Sequence, residues 1–147
     1  MQATRSATAV WHGDLFGGSG NVTANTSSLF RELPVSWGSR TEEPSGRTSP
    51  EELLAAAHAA CFSMAMSNGL AKAGHAPDEL ETRADVTFEK QEAGWRVTRS
   101  RITVRGRVPG ADEHTFREAA ETARDNCPVS QALKGNVDLS VDALLEG

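Results

Sequence analysis

Two cysteines, Cys61 and Cys127, carry the most reactive side chains of this 147-residue sequence. In a reducing compartment such a pair is seldom a structural disulfide, because cytosolic thiol buffers keep cysteines reduced. Metal binding and redox chemistry are therefore the two uses to consider. Cys61 lies inside a predicted helix, where a cysteine is ordinarily a small buried hydrophobe. Cys127 precedes Pro128 at a predicted helix break, where backbone N–H groups of the following short helix could stabilise a thiolate.

A redox-active thiolate makes further demands on its surroundings. It needs positive charge or hydrogen bonds nearby, and its sulfenic acid needs a second thiol before it oxidises further. Arg40 and Glu51 fit the roles of a cation that holds the thiolate and a carboxylate that fixes the guanidinium, although each is individually typical of a solvated charge. Glu51 precedes Cys61 by roughly 15 Å along a straight helix, which excludes a direct contact. One shared site would need a bent helix, a spanning Arg40 or a second subunit.

Metal binding is the competing use of these groups. His58 lies one helical turn before Cys61, and Cys127 and His75 could complete a set of four ligands. The sequence lacks a Cys-x-x-Cys or His-x-x-x-His element, so core and capping roles are simpler for these residues. The sequence contains no Gly-x-Ser-x-Gly elbow, so it does not indicate a serine hydrolase. The glycine-rich segment 17–20 has neither a lysine nor a following helix, which argues against a phosphate loop.

The elements that must position these residues follow from hydrophobic periodicity and turn residues. We predict strands over 4–11, 21–25 and 28–37, a loop over 38–49, a helix from Pro50 to about Gly74, strands over 80–90 and 95–108, a helix over 112–126 that restarts after Pro128, and a strand over 137–141. This β-β-β-α-β-β-α-β order favours an antiparallel α+β sheet. The first long helix is apolar on more than one face and is expected in the core.

Two local features sharpen this prediction. Ser49, Pro50 and Glu52 form a helix-start signature, with Ser49 as N-cap and Glu52 placed to complete a capping box. The apolar parity of the second long strand changes between Val97 and Ile102, which indicates a β-bulge in that stretch.

Composition and charge favour one soluble domain. The length suits a single core over residues 1–147, and 38% apolar with 24% charged residues is ordinary for a globular protein. The net charge of −5 disfavours nucleic acid as a partner. Five arginines fall within a dozen residues and most alternate with Val, Ile and Thr, which predicts a solvated strand face over a nucleic-acid patch: Arg96, Arg99, Arg101, Arg105 and Arg107. The apolar run from Leu53 to Ala65 is too short to cross a bilayer, and the N-terminus lacks a signal-peptide core, so we expect a cytoplasmic protein that does not enter the membrane.

The sequence also resembles a known family. SPEELLAAAHAACFSMAMS, Ser49–Ser67, resembles the helix that carries the reactive cysteine in the OsmC/Ohr family of peroxide-detoxifying proteins. NCPVSQALKGNVDLSV, Asn126–Val141, is similar to that family's second cysteine motif, and AVWHGDLFGGSGNVTA is similar to its first hairpin. The sequences of both cysteine motifs are more similar to the OsmC branch of this family than to its Ohr branch. The resemblance implies an OsmC-like α+β fold, an intertwined homodimer with active sites at the subunit interface, and neither a metal nor an organic cofactor.

The resemblance also assigns roles to individual residues. It implies that Cys61 is the peroxidatic cysteine and that Cys127 is the resolving cysteine, which closes a disulfide with Cys61. It implies that Arg40 stabilises the thiolate and that Glu51 is the carboxylate partner of Arg40. Arg47 lies in the same loop and is a second candidate for the arginine.

The resemblance implies a thiol-dependent peroxidase that acts in oxidative and osmotic stress. Its substrates would be organic hydroperoxides, with hydrogen peroxide as a further candidate, and a dithiol such as dihydrolipoamide or a lipoylated protein would reduce the disulfide. Phe62, Met64 and Met66 could line a pocket for an apolar substrate, or they could be ordinary core residues. The alternative is a non-enzymatic dimeric module that senses redox state or binds a ligand.

Overall fold

The computed structural model describes residues 1–147 and divides into two units, Met1–Leu53 and Leu54–Gly147. The first unit is a three-stranded antiparallel sheet followed by a short helix. Its elements are β1 (Ala7–His12), β2 (Ser19–Ala24), β3 (Leu33–Val35) and α1 (Trp37–Thr41). Between β1 and β2 the Trp11 ring lies against the backbone of Gly18 and Gly20, where any Cβ would come within 3.0 Å of the ring. The glycine-rich segment therefore serves the hairpin, because its glycines leave room for the Trp11 ring.

The end of the first unit differs from the predicted strand and loop. The third strand covers only Leu33–Val35, and the chain then enters the helix α1 instead of a loop. Ser36 starts this helix through a reciprocal capping box with Ser39, in which each hydroxyl accepts the other residue's backbone N–H at 3.1 Å. Ser39 also donates to the carbonyl of Thr48 at 2.7 Å, which ties α1 to the segment before the next helix.

The long helix α2 (Pro50–Lys72) starts where the sequence predicts. Ser49 Oγ accepts the N–H of Glu52 at 3.1 Å, which confirms Ser49 as the cap. The Glu52 carboxylate does not close the predicted box, because it accepts instead from the hydroxyl of Thr48 at 2.6 Å. The apolar run 53–65 is too short to span a membrane, but the whole helix α2 has 23 residues and is long and apolar enough by length and composition alone. The core helix of a soluble protein meets the same criterion, and α2 buries its own stripe in the protein.

The second unit contains a mixed sheet in the order β4 (Glu79–Gln91), β5 (Gly94–Arg107) and β6 (Asp138–Leu145). The β4–β5 pair is antiparallel as predicted, but β6 pairs with β5 in parallel. The antiparallel prediction is wrong at this last strand because two helices intervene, and such a crossover returns the chain in its original direction. The predicted bulge is confirmed: Thr87 pairs with Arg99 and Phe88 with Val97, so Thr98 is the extra residue.

Two helices complete the second unit, α3 (Glu113–Asn126) and α4 (Pro128–Leu133). Asp112 caps α3 by accepting the N–H of Thr115 at 2.8 Å. The core of this unit gathers one stripe of α2, the inner face of β5 and the apolar face of α3. Its largest fully buried apolar side chains are Phe62, Met66, Leu70, Ile102, Val104 and Phe116. Three arginines on the outer face of β5 pair with carboxylates, which supports a solvated strand face: Arg101 with Asp142, Arg105 with Glu146 and Arg107 with Glu79.

Candidate active site

In the first unit, Arg40 and Glu51 form the ion pair that the sequence suggests. Arg40 stands in the last turn of α1 and Glu51 in the first turn of α2. The guanidinium donates from Nη2 to Glu51 Oε1 at 2.7 Å and from Nε to Oε2 at 3.2 Å. The Glu51 side chain is only 8% exposed, and the Trp37 ring lies 5.7 Å from the guanidinium carbon. Two charge-assisted bonds to a buried carboxylate hold this cation in one orientation. Arg47, the second candidate, is exposed.

An apolar cavity of about 460 Å³ opens beside Arg40 within the same unit. Its walls come from all three strands, α1 and the start of α2: Ala9, Trp11, Leu15, Val22, Val35, Ser36, Trp37, Arg40, Pro50 and Leu53. Of the three residues proposed to line a substrate pocket, Phe62 and Met66 are instead fully buried in the core of the second unit, and Met64 is 73% exposed. The helical spacing of Phe62 and Met66 reflects core packing, and the aromatic walls of the cavity are Trp11 of β1 and Trp37 of α1.

In the second unit, Cys61 and Cys127 are brought together as free thiols. Cys61 is half-buried in the middle of α2, and Cys127 is fully buried. Burial raises the pKa of the Cys61 thiol, a hydrogen bond from the backbone of Val129 opposes this effect, and the charge and side-chain hydrogen bond of Cys127 raise the pKa slightly further. The two thiols are neighbours, as formation of a disulfide between them would require, whereas a nucleophilic Cys61 needs additional positive charge.

Cys127 is held by the break between α3 and α4. Its backbone N–H closes α3 on the carbonyl of Ala123 at 3.0 Å, and its side chain caps α4. Cys127 Sγ accepts the N–H of Ser130 at 3.4 Å and lies 3.0 Å from the Ser130 hydroxyl. Pro128 occupies the first position of α4, where its missing N–H has no intrahelical partner to lose. The predicted donation from the short helix to the Cys127 sulfur is therefore present.

His58 links this sulfur to the sheet through two serines. Its Nε2 lies 2.8 Å from the Ser130 hydroxyl and its Nδ1 lies 2.7 Å from the Ser100 hydroxyl on β5. His58 and Ser130 are completely buried and Ser100 is 1% exposed. Burial lowers the pKa of His58, which favours the neutral imidazole. Both ring nitrogens are engaged by hydroxyls, so the alternative in which His58 serves as a metal ligand with Cys61, Cys127 and His75 does not match the structure.

The sequence analysis missed the functional placement of both serines. Ser130 is the third residue of α4, the position whose N–H an N-cap side chain accepts, so Cys127 before Pro128 was a usable signal. Ser100 turns inward because the bulge at Thr98 shifts the parity of β5, after which Ser100, Ile102 and Val104 face the core. The predicted bulge is therefore the sequence signal that identifies Ser100 as an inward-facing residue.

Comparison with known proteins gives a consistent family. Residues 42–142 match the model of the family described as OsmC-like protein. The chain is 40% identical over 139 residues to peroxiredoxin OsmC of Escherichia coli (strain K12), which covers 95% of this chain and 96% of that relative. It is 29% identical over 128 residues to organic hydroperoxide resistance protein OhrB of Bacillus subtilis (strain 168), covering 86% of this chain and 90% of OhrB.

Solved structures show the same fold. The crystal structure of OhrB of Bacillus subtilis superposes with a TM-score of 0.69 at 24% identity, covering 96% of this chain and 98% of OhrB. An organic hydroperoxide resistance protein from Elizabethkingia anophelis superposes with a TM-score of 0.71 at 23% identity, covering 100% of this chain and 98% of that one.

Proposed function

The chain belongs to the OsmC-like protein family, and on this premise we propose that it is a thiol-dependent peroxidase that reduces organic hydroperoxides to alcohols. The observation that carries the proposal is the contact between the half-buried thiol of Cys61 and the buried thiol of Cys127. A relative that is 40% identical is named a peroxiredoxin, and further relatives are named for organic hydroperoxide resistance.

The reaction has two chemical steps. The Cys61 thiolate attacks the terminal oxygen of the hydroperoxide, the O–O bond breaks, and the alkoxide leaves and takes up a proton to become the alcohol. Cys61 now carries a sulfenic acid. Cys127 attacks its sulfur, the S–O bond breaks, and the hydroxide leaves as water while the Cys61–Cys127 disulfide forms. A dithiol such as dihydrolipoamide, free or on a lipoylated protein, then returns both cysteines to thiols by exchange.

We assign activation of Cys61 to Arg40, with Glu51 as the residue that orients it. Support comes from the fixed geometry of the guanidinium and from the raised pKa of Cys61, which leaves the thiol in need of a cation. The apolar cavity of about 460 Å³ beside Arg40 suits the hydrocarbon part of an organic hydroperoxide, since apolar walls with one oriented polar group are typical of small-ligand sites. This chemistry favours organic hydroperoxides over hydrogen peroxide.

The working form in this proposal is a cytoplasmic homodimer. The helix α2 exposes a run of apolar and small side chains: Ala56, Ala57, Ala60 and Met64. A second copy of the chain would cover this face, because an uncovered helix with so few polar residues is atypical of a monomer. We infer a cytoplasmic location, because two cysteines that are not joined in a disulfide suit a reducing compartment.

The test follows each cysteine separately. When reduced protein meets cumene hydroperoxide, we expect loss of both free thiols in the native chain and no peroxide consumption in Cys61→Ser. Cys127→Ser should retain the first oxidation and then accumulate overoxidised Cys61, which mass spectrometry detects. Native protein that keeps both thiols would refute the peroxidase, and equal partial losses in the two variants would refute the division of roles.

The redox-sensing alternative is favoured by the raised pKa of Cys61, because a thiol with less thiolate reacts more slowly with peroxide. Measuring turnover distinguishes the two functions. With a dithiol donor present, a peroxidase consumes many equivalents of hydroperoxide per chain, whereas a sensor oxidises once. Dihydrolipoamide is the first donor to use, with other dithiols at equal concentration as comparison.

A further inference from the structure

A continuous chain of hydrogen bonds leads from the Cys127 sulfur into the core of the second unit. It runs from Cys127 Sγ to Ser130 Oγ at 3.0 Å, from Ser130 Oγ to His58 Nε2 at 2.8 Å, and from His58 Nδ1 to Ser100 Oγ at 2.7 Å. Every member is at most 1% exposed. His58 on α2, Ser100 on β5 and Ser130 on α4 come from three different elements, and Cys127 lies at the junction of α3 and α4, so the chain depends on the tertiary structure.

We propose that Ser130 and His58 form a proton relay for Cys127, in which Ser130 takes the thiol proton as Cys127 attacks the Cys61 sulfenic acid and His58 accepts the hydroxyl proton of Ser130. The proposal rests on the proposed function, because it concerns the resolving step of that peroxidase. Ser130 contacts the reacting sulfur and is a catalytic residue. His58 acts through Ser130 and is a positioning residue, and Ser100 holds its ring.

The relay answers a problem that burial creates. Cys127 must become a thiolate to attack, yet it is fully buried and bulk water cannot remove its proton. The N–H of Ser130, which points at Cys127 Sγ at 3.4 Å, stabilises the developing negative charge but cannot accept a proton. Apart from its reaction partner Cys61, the remaining polar contact at this sulfur is the Ser130 hydroxyl, and the neutral imidazole behind it is the next base along the hydrogen-bond chain.

The step balances without an additional reactant. Cys127 loses its proton to Ser130 Oγ, and Ser130 passes its own hydroxyl proton to His58 Nε2. The Cys127 Sγ–Cys61 Sγ bond forms while the Cys61 S–O bond breaks, so one sulfur is oxidised and the other reduced. The departing hydroxide becomes water by taking up the proton that His58 gives back through Ser130, which leaves the serine and the imidazole neutral as at the start. This sequence requires the His58 tautomer that has its proton on Nδ1, donated to Ser100.

His58→Gln and Ser130→Ala separate the relay from the first oxidation. Rapid mixing with cumene hydroperoxide should show sulfenic acid formation within about twofold of wild type, because neither residue is assigned to the attack on peroxide. Disulfide formation should slow by roughly 100-fold, the lower end of the loss expected when a general base is removed. Ser63→Ala is the matched control, since it removes a hydroxyl from the same helix that bonds only Ala59 and Thr82 and should leave both steps unchanged.

A peroxide-free measurement keeps the relay distinct from the proposed function. A thionitrobenzoate disulfide placed on Cys61 is displaced by the same attack of Cys127, and release of the coloured anion gives its rate. If hydroperoxide oxidises no thiol but His58→Gln slows this release, the peroxidase fails and the relay stands. Release at the wild-type rate in both His58→Gln and Ser130→Ala would overturn the relay, as would nitrogen NMR that finds the His58 proton on Nε2 in the reduced protein.

Discussion

The two units solve different electrostatic problems. The first unit fixes a permanent charge: Arg40 is held by two short bonds to Glu51, whose side chain is 8% exposed. The second unit holds sulfur in a neutral network, with thiols, serine hydroxyls and an imidazole whose pKa burial lowers. The ion pair joins α1 to the first turn of α2, whereas the two thiols lie in the middle of α2 and at the break between α3 and α4. In the proposed function, activation and resolution would therefore depend on separate parts of the sequence.

The largest expected effect comes from removing the charge of the first unit. We expect Arg40→Ala to slow sulfenic acid formation on Cys61 by roughly 100-fold, the size of one lost charge-stabilising donor. The pKa of Cys61 should be higher in this variant than in wild type, because burial raises it and the proposed site would lack the cation that opposes burial. Alkylation by iodoacetamide as a function of pH measures this pKa. The substitution should also lower the free energy of unfolding by about 1–3 kcal/mol, since Glu51 loses its partner.

Arg47→Ala is the matched control for this experiment. Arg47 lies seven residues further along the same segment and is exposed, so its removal should change neither the alkylation profile nor the stability. If Arg47→Ala raises the pKa of Cys61 and Arg40→Ala does not, the assignment is wrong. Arg47 would then supply the charge that the comparison of the two units assigns to Arg40.

A smaller effect is expected from the packing that holds the neutral network. A Cβ on Gly106 of β5 would lie 2.6 Å from Phe116 Cε2 and 2.8 Å from Leu80 Cδ2, inside a closed core. Gly106→Ala should therefore lower the free energy of unfolding by about 1–3 kcal/mol in urea denaturation. Gly69→Ala is the control, because that helical glycine faces open space and alanine should stabilise by about 0.5–1 kcal/mol. Equal effects at both positions would contradict this description of the core.

The smallest effect is expected from pH. Burial lowers the pKa of His58 from 6.5, so the unfolded chain binds this proton more readily than the folded chain. The free energy of unfolding should hold its full value above about pH 6.5 and fall as the pH drops towards the lowered value in the folded protein. The elements packed against His58 present the hydroxyls of Ser100 and Ser130, the Cys127 thiol lies beyond Ser130, and the Cys61 thiol lies one turn further along α2.

Urea titrations at about pH 7.5 and about pH 5 measure this slope in wild type and in His58→Gln. The variant should lose part of the decline. The carboxyl groups with lowered pKa, Asp112 and Asp125, start from 3.8 and titrate below this window. An identical slope in both proteins would show that the network tolerates a charged imidazole and would weaken the contrast with the first unit.

Local signals predicted most of the fold. The cap at Ser49, the restart at Pro128 and the bulge at Thr98 all depend on neighbouring residues, and the structure contains all three. The direction of β6 could not be read in this way, because it depends on how α3 and α4 carry the chain across the sheet. The helix α1 was missed because its capping box pairs two serines, Ser36 and Ser39, and lacks the usual acidic partner.

The candidate site shows the same division. The pairing of Arg40 with Glu51 and of Cys61 with Cys127 followed from residue types and from family resemblance, and the structure brings both pairs together. The roles of these four residues remain proposals. The placement of Ser100 beside His58 could not be predicted, since it joins residues 42 positions apart on a helix and a strand.

Cys127 ends one helix and begins the next, and its sulfur is the acceptor that completes the start of α4. A disulfide would engage that same sulfur in a covalent bond and weaken it as an acceptor for the N–H of Ser130. The protection of the Ser130 backbone amide from hydrogen exchange should therefore depend on the oxidation state of Cys127. Hydrogen exchange at Ser130 would follow each catalytic cycle as an opening and closing of the first turn of α4, without any label on the sulfur itself.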